Sequence, residues 1–473
     1  MSSETQQADS AWWDHGEKSH SVPLSPAVPM DVNINTWSRF GQVFEAYEYT
    51  GWIDESLSWK TDCYIGDWSS LAKARVTGPD AKAFFEFIST NQWPDFKPGQ
   101  AKHAIFCQEN GKIVGDGLVL MLAENDFLFT SGPGTVWATY QLHYGRKKFD
   151  ASLHLVTDDW CLLQVQGPKS IELMDEITDK GVRDIKFMHW KTLSIDGVEF
   201  MCLRQGVSGE LGFEIWGPMK DAKKIFTSVF EQGKSTAFVD SAPAQSVSIT
   251  YVVKLPPTPV ITLLFLGTTE AAFATPAIDF IPAVHEPADS EELVKFRQYT
   301  RDINFDFERY LSSAYGSYGS DPRLYHFTPF DLGWGRLVNF DHEFIGRDAL
   351  SGIKDSPPNK LVTLVWNKED VIDVFASLFR PESFEYMEMP RNLLGAVNGS
   401  TVSIGGKVIG CAVSRCYSYW FKDTISLAII KTEDAVIGTD VEVTWGSAGS
   451  PQKIIRAVVQ PAPYKEDKRR HLI

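Results

Sequence analysis

The sequence predicts an α+β protein, with mostly antiparallel sheets carrying packed helices, followed by a separate small β-barrel. Three observations carry this expectation. Through most of the chain, strand-like runs bounded by turn residues are interspersed with helix-like segments. Residues 392–446 are short strands joined by Gly turns, without a helical stretch, which is the pattern of a barrel or sandwich. The 473 residues also exceed one ordinary core, so two or three domains are expected.

Residues 1–30 lack the apolar core of a signal peptide and read as a disordered arm. His15 and His20 lie in it without a carboxylate to complete a metal spacing. Residues 31–350 form the main α+β region. Its strand-like runs are "AKARVTG" (72–78), "KIVGDGLVLMLAENDFLFTS" (112–131), "WCLLQVQG" (160–167) and "TLSIDGVEFMCLRQG" (192–206). Helices are expected in "GPDAKAFFEFIST" (78–90), "GPKSIELMDEIT" (167–178) and "MKDAKKIFTSVFEQG" (219–233). In the first two, Pro falls near the first turn, where its missing N–H costs nothing. Residues 235–280 are atypical, poor in charge and interrupted by "PPTP". Their apolar run "PVITLLFLG" (259–267) is far below the roughly 20 residues that span a bilayer, so no membrane partner is expected. "SGIKDSPPNK" (351–360) reads as a linker, "LVTLVWN" (361–367) as a strand, and 358–465 as the C-terminal barrel domain.

A net charge of −16 argues against a nucleic-acid partner, since such proteins present a basic face. The basic tail "KEDKRRHLI" reads as a solvated run. The six cysteines form no CxxC pair and are too few for a disulfide scaffold, so neither zinc nor an oxidising compartment is expected. A reducing, cytoplasmic setting fits this composition.

The stretch "RQGVSGELGFEIWGP" (204–218) places the carboxylate of Glu214 between Phe213 and Ile215. In a strand those two neighbours face one side and Glu214 the other. A buried carboxylate is costly unless it is paired or hydrogen-bonded. Two partners satisfy it: the guanidinium of an arginine, or the flat N–H edge of a pterin- or guanine-like ring.

These residues resemble the folate-binding glutamate motif of the glycine-cleavage T-protein (aminomethyltransferase) superfamily. "CLLQVQGPKS" (161–170), "QENGKIVGDGLVLMLAENDFLF" (108–129), "DLGWGRLVNFDHEFIGRDAL" (331–350) and "GGKVIGCAVSRCYSYWFKDTISLAII" (405–430) extend the likeness. "EIWGP", "QGPK" and "ASLF" (376–379) resemble its tetrahydrofolate-dependent vanillate/3-O-methylgallate O-demethylase branch. The resemblance implies a cloverleaf of α+β subdomains around a central channel, with tetrahydrofolate as the one-carbon carrier. It implies that Glu214 takes the pterin N–H pair and that Gln164 or Gln166 contacts the pterin or the substrate. It sets Trp216 beside the ring and Asp116 in the hairpin where T-proteins carry paired aspartates. The implied reaction is O-demethylation of a small methoxylated aromatic, in which the folate nitrogen is the nucleophile and a proton donor serves the departing oxygen. Aminomethyl or N-methyl transfer from a glycine-like donor, and folate binding without turnover, are the alternatives.

The chain also departs from that branch. Residues 235–280 do not reproduce its "AYPSNTLESGW". The branch carries there a tyrosine as proton donor and a tryptophan against the folate; "TEAAF" (269–273) takes the "LESGW" place, which sets Glu270 there and Phe273 in the cofactor-binding place of the tryptophan, and Tyr251 is the tyrosine nearest the missing proton donor. Its "QTHHM" is replaced by "DWSSLA" (67–72), and an arginine in its "GRAP" turn by "SGPG" (131–134). Residues 235–280 are either a divergent loop that reshapes the pocket or a gene-model fault such as a retained intron. His189 and His342 read as isolated structural histidines, and Arg336 and Arg347 as salt-bridge partners of nearby acids.

Overall fold

The computed structural model describes residues 36–40, 43–48, 51–236, 266–284, 290–303, 313–389 and 396–471. The N-terminal arm, Tyr251 and most of the atypical segment lie outside these residues. A hairpin of β1 (Thr36–Phe40) and β2 (Val43–Glu48) precedes the main body.

One antiparallel sheet has five strands in the order β10 (Trp190–Ile195), β11 (Val198–Arg204), β12 (Gly212–Pro218), β9 (Trp160–Gln166) and β3 (Tyr64–Asp67). Its alternation is strict. Cys161, Leu163 and Val165 of β9, with Phe213 and Ile215 of β12, face a core that includes Leu173 and Met174 of α4 (Ser170–Ile177) and Ile225 and Phe226 of α5 (Ala222–Thr236). The opposite face carries Tyr64, Leu162, Leu203 and Trp216. These follow the two-residue period of a strand.

A second five-stranded antiparallel sheet runs β5 (Ala101–Cys107), β6 (Ile113–Ala123), β7 (Asp126–Thr130), β4 (Lys73–Thr77) and β8 (Ser152–Leu155). Its outer face, with Ala104, Phe106, Val119, Met121, Phe127 and Phe129, packs on α2 (Ala81–Ile88), α3 (Pro133–Tyr144) and α6 (Glu291–Asp302). Helix α2 buries Ala81, Phe84, Phe85 and Ile88, the i, i+3, i+4, i+7 stripe of an amphipathic helix. Helix α6 begins at Ser290, whose hydroxyl accepts the Leu293 amide at 3.2 Å. The inner face carries Ala101, Leu118, Leu120 and Leu128, which join Leu162, Leu203 and Trp216 of the first sheet in one cluster. Helix α1 (Trp52–Thr61) adds Trp59 to it.

The barrel closes in the order β14 (Asn359–Trp366), β18 (Asp423–Lys431), β17 (Lys407–Ser418), β16 (Ser400–Ile404), β19 (Asp440–Trp445) and β20 (Lys453–Gln460). After its first strand it inserts helix α7 (Lys368–Ser377), capped by Asn367 on the Asp370 amide at 3.1 Å. A short parallel pair, β13 (Ala314–Tyr315) and β15 (Val397–Asn398), leads into it. Cys416 and Ile425 of the barrel reach the inter-sheet cluster.

Residues 266–284, which take in the described end of the atypical segment, run through the centre. Leu266 and Ile278 join the inter-sheet cluster, while Ala274, Phe280 and Ile281 join the adjacent one formed with Ile105, Trp334, Leu361 and Leu427. Among the described residues no helix is long and apolar enough to cross a membrane, and no group of His, Cys, Asp or Glu forms a metal cluster. All six cysteines are buried and unbridged.

One expectation is overturned in part: Glu466, Arg470 and His471 of the C-terminal tail are exposed, but the tail as a whole is not a free solvated run. The Lys465 and Lys468 amides donate to the carbonyls of Glu270 and Gly209, at 3.2 and 2.9 Å. Lys465 Nζ meets Glu210 Oε1 at 2.8 Å with both side chains buried, and Arg469 donates to the Gly206 carbonyl. The tail is a strap laid over the loop between β11 and β12.

Candidate functional site

The inner face of the first sheet places a row of polar groups within the apolar inter-sheet cluster. In register, Glu214 lies opposite Gln164 and Leu203, and Gln166 lies opposite Tyr64. These residues therefore share one face, as the alternation in β9 and β12 requires. The Tyr64 hydroxyl sits 2.5 Å from Gln164 Oε1 and 2.9 Å from Gln166 Oε1. Burial raises the Tyr64 phenol well above its usual range, so it is a neutral donor.

The two glutamines differ. Gln166 Nε2 donates to the Glu210 carbonyl at 2.8 Å, and its oxygen also accepts the Ser208 amide at 3.3 Å. Gln166 thus braces the 205–211 loop with both ends of its amide. A Cβ at Gly206 would lie 1.8 Å from Gln166 Nε2, so this position of the motif admits only glycine while the brace holds. For Gln164 the Tyr64 hydroxyl is the side-chain partner.

Glu214 is 6% exposed. Its Oε1 accepts Gln205 Nε2 at 2.7 Å and its Oε2 accepts Trp216 Nε1 at 3.0 Å. Among the described residues it has no arginine partner, and its partners there are these two neutral donors. Burial pushes its carboxyl up to about 7, against the pull of the Gln205 and Trp216 donors and of the Lys73 charge. Trp216 is fully buried and spends its indole N–H on this carboxylate.

Lys73 is likewise fully buried, donating to the carbonyls of Ser69 and Leu71 at 2.8 and 2.9 Å. Burial lowers its ammonium to about 8, opposed by Asp67 and other nearby anions. The "DWSSLA" segment is therefore the loop that wraps Lys73.

Asp116 lies mid-strand in β6, not in a turn. A Cβ at Gly115 would come within 2.8 Å of the Gly134 amide, and one at Gly117 within 2.5 Å of the Phe129 ring. The flanking glycines let the sheet's outer face close on α3, and Asp116 points the other way, onto the inner face with Leu118 and Leu120. There its Oδ2 meets His103 Nε2 at 2.7 Å. His103 is diagonal to it across the hairpin, since Ile105 faces Asp116 and His103 faces Leu118. The "SGPG" turn supports this strand from behind: the Ser131 hydroxyl donates to the Asp116 carbonyl and accepts the Gly134 amide.

Phe273 packs on the His103 ring, with centroids 5.6 Å apart, and the Trp334 ring meets it edge-on at 5.0 Å. Glu270 is buried, paired with Lys60, and accepts the Ser418 hydroxyl at 2.6 Å. The structure thus brings Glu214, Gln164, Gln166 and Trp216 together on one sheet, and sets Asp116 and Phe273 each against His103 of the other. Tyr251 lies outside the described residues. Tyr64, Gln205, Lys73 and His103 were not singled out from the sequence; pairing the hairpin around Asn110 and Gly111 was the signal available for His103. His189 bonds Gln100 and the Phe187 carbonyl, and His342 the Ser89 carbonyl, in keeping with structural roles. Arg347 holds the Phe340 carbonyl at 2.7 Å and pairs more loosely with the acid expected of it, Asp348, at 3.9 Å.

Comparison with known proteins shows what the chain is similar to. Residues 32–242 match the family model of the GCVT N-terminal domain. The chain is 29% identical over 449 residues to sesamin methylene transferase of Sinomonas sp., covering 91% of this chain and 92% of that protein. It is 27% identical over 437 residues to syringate O-demethylase of Sphingobium sp., covering 88% and 89%. Aminomethyltransferases are also similar, that of Bacillus cytotoxicus at 24% over 420 residues, 88% of this chain and 90% of that one. Among solved structures, the glycine cleavage system aminomethyltransferase T from Bartonella henselae shares the fold. Its TM-score is 0.62 at 17% identity, over 96% of this chain and 97% of that one.

Proposed function

We propose, from the premise that this chain has the T-protein fold and resembles the glycine-cleavage T-protein superfamily along most of its length, that it is a tetrahydrofolate-dependent one-carbon transferase acting on an aromatic ether. The observation that carries the reading is the Glu214 carboxyl. It is buried, bonded by two neutral donors, and without an arginine among the described residues. A carboxylate offers about four acceptor positions, and two are used here. The rest suit a flat ring edge carrying two N–H groups, and the charge-assisted bonds it makes are strong.

Other groups around this face fit the same ligand. Trp59 Nε1 and Ser208 Oγ are buried donors without a partner among the described residues. A buried donor left unpaired costs about 1–3 kcal/mol, which an acceptor on a bound ligand removes. Gln164, less committed than Gln166, is the glutamine assigned to the ligand. Trp216 orients Glu214 and does not stack on the ring itself, because its indole is already enclosed.

The reduced pterin, when bound, supplies the nitrogen that accepts the one-carbon group. The chain's own work is to bind, align and desolvate. Glu214 and Gln164 fix the ring on the first sheet, and the apolar inter-sheet cluster excludes water. Phe273 and Trp334 present aromatic surface for the ether substrate beside His103. Sesamin methylene transferase and syringate O-demethylase are named for one-carbon chemistry on such compounds. In the "SGPG" turn, Ser131 is spent on the backbone and no arginine is present, so a substrate carboxylate is not required.

Incubation with tetrahydrofolate and a panel of methoxylated and methylenedioxy-substituted aromatics tests the reading. A methyl donor yields 5-methyltetrahydrofolate, and a methylene donor yields 5,10-methylenetetrahydrofolate. A folded protein that forms neither with any member of the panel rejects the proposal.

A further inference from the structure

Departure of a weakly acidic phenol oxygen needs a proton, and the donor suggested by the sequence, Tyr251, lies outside the described residues. Within them, one acid–base pair stands on the inner face of the second sheet: His103 and Asp116. We infer that this pair supplies the proton taken up by the leaving phenol oxygen, with His103 as the acid and Asp116 as its positioning partner. The inference rests on the transferase reading above.

Four observations support it. First, the pair occupies the right face. His103 and Asp116 share the side of their hairpin with Ala101, Leu118 and Leu120, whose cluster also holds Trp216, the hydrogen-bond partner of Glu214. The pair and the pterin-binding row therefore lie on the two sheet faces that one apolar cluster joins.

Second, the pair is braced. The Asn91 side chain spans the strand, donating to the His103 carbonyl at 2.7 Å and accepting the Ile105 amide at 3.0 Å. The Asp116 backbone is held by the Ser131 hydroxyl.

Third, the ring orientation is fixed. Nε2 faces Asp116 Oδ2 at 2.7 Å, with Phe273 across one face of the ring and Trp334 edge-on. Nδ1 makes no hydrogen bond to any described residue and is the nitrogen left for a ligand. An imidazole held by a carboxylate through one nitrogen and free at the other is arranged for proton transfer.

Fourth, the two rings that meet His103, those of Phe273 and Trp334, are the ones the transferase reading assigns to the substrate.

The balance is simple. The C–O bond of the ether breaks and a C–N bond forms to the pterin nitrogen. The electron pair of the C–O bond stays on oxygen. That oxygen takes the proton from His103 Nδ1, and the ring, still held by Asp116, becomes neutral. The proton displaced from the pterin nitrogen recharges the imidazole or leaves to solvent. No oxidant or further reactant is needed.

The test is a leaving-group series. Initial rates of 5-methyltetrahydrofolate formation are measured for wild type, His103→Gln and Asp116→Asn with 4-nitroanisole, anisole and 2-methoxyphenol. A 4-nitrophenolate leaves without help, whereas the other oxygens need the proton. His103→Gln is expected to lose about 10²–10³-fold on 2-methoxyphenol and less than about tenfold on 4-nitroanisole. Asp116→Asn shows the same trend, more weakly. Imidazole added to His103→Ala restores rate on 2-methoxyphenol and leaves 4-nitroanisole unchanged. An equal loss across the series in folded variants, or no loss, overturns the assignment while leaving the transferase reading intact. Wild-type protein that converts none of these ethers, nor any member of the wider panel, removes both.

Discussion

Lys465 Nζ lies 2.8 Å from Glu210 Oε1, joining two residues 255 positions apart with both side chains almost wholly buried. The contact fastens the C-terminal strap to the loop that leads into the Glu214 strand. Burial lowers the Lys465 ammonium to about 8, with Lys60 adding to the effect, so the pair is held at a cost. Removing one member leaves the other charge stranded, which is worse than losing both. Lys465→Met is therefore expected to cost about 3 kcal/mol in urea unfolding, toward the low end because Lys468 also approaches Glu210, at 3.8 Å. The double variant Lys465→Met, Glu210→Gln should recover most of this loss. A single variant as stable as wild type contradicts the reading.

Glu214 carries a sharper prediction, because function and stability pull it in opposite directions. Its carboxyl titrates near 7 in the folded chain against an ordinary value of 4.5. A folded-state value raised above the unfolded one contributes stability that is full below pH 4.5 and lost as pH rises through 7. Glu214→Gln has no such titration. Relative to the variant, wild type should lose about 3 kcal/mol between pH 4.5 and 7 and stay level above that. Unfolding at pH 4.5 and pH 8 measures this difference directly. At pH 8 the variant should be the more stable protein and should fail to bind tetrahydrofolate, which separates loss of binding from loss of fold.

Trp216 tests the orienting role from the other side. Trp216→Phe keeps the buried ring and removes the N–H that Glu214 Oε2 accepts. The carboxylate loses a donor to its charged form, so its titration moves further up. A bond to a charged group is worth about 1.5–3 kcal/mol. Tetrahydrofolate binding at pH 7 is therefore expected to weaken about tenfold, with a smaller loss at pH 9, where the carboxyl is ionised in both proteins. A pH-independent loss instead points to the ring packing directly on the ligand.

Much of this site is readable from the chain where the signal is local. The alternation in "WCLLQVQG" and "GFEIWG" sets Gln164, Gln166 and Glu214 on one face, because a strand turns over every two residues. His103 is not legible in that way. Nothing in "AKHAIFC" marks it, and its partner is 13 residues on, across a hairpin. Helix α3 escapes for a different reason: "PGTVWATYQLHY" is buried on nearly every side and has no apolar stripe to find. The tail misleads because charge run alone does not show that Lys465 has a buried partner waiting in another part of the sequence.

Glu270 decides what the described end of the atypical segment does. Its carboxylate pairs with Lys60 of α1 and accepts the Ser418 hydroxyl of β17, and its carbonyl accepts the Lys465 amide. One buried side chain thus ties this segment to the N-terminal helix and the barrel, while its backbone ties it to the C-terminal strap. Phe273 follows three residues later, against His103. Glu270→Gln keeps the shape and the bond to Ser418 but strands the Lys60 charge, which is 5% exposed. It is expected to cost about 3–5 kcal/mol, and Lys60→Met in the same chain should return most of that. If the segment serves only to fill the core, the double variant recovers both stability and catalysis. If the ion pair also sets the place of Phe273, the double variant recovers stability while KM for the aromatic ether stays raised and the affinity for tetrahydrofolate stays normal. Unfolding, KM for the ether and tetrahydrofolate binding, measured on all three variants, distinguish the two.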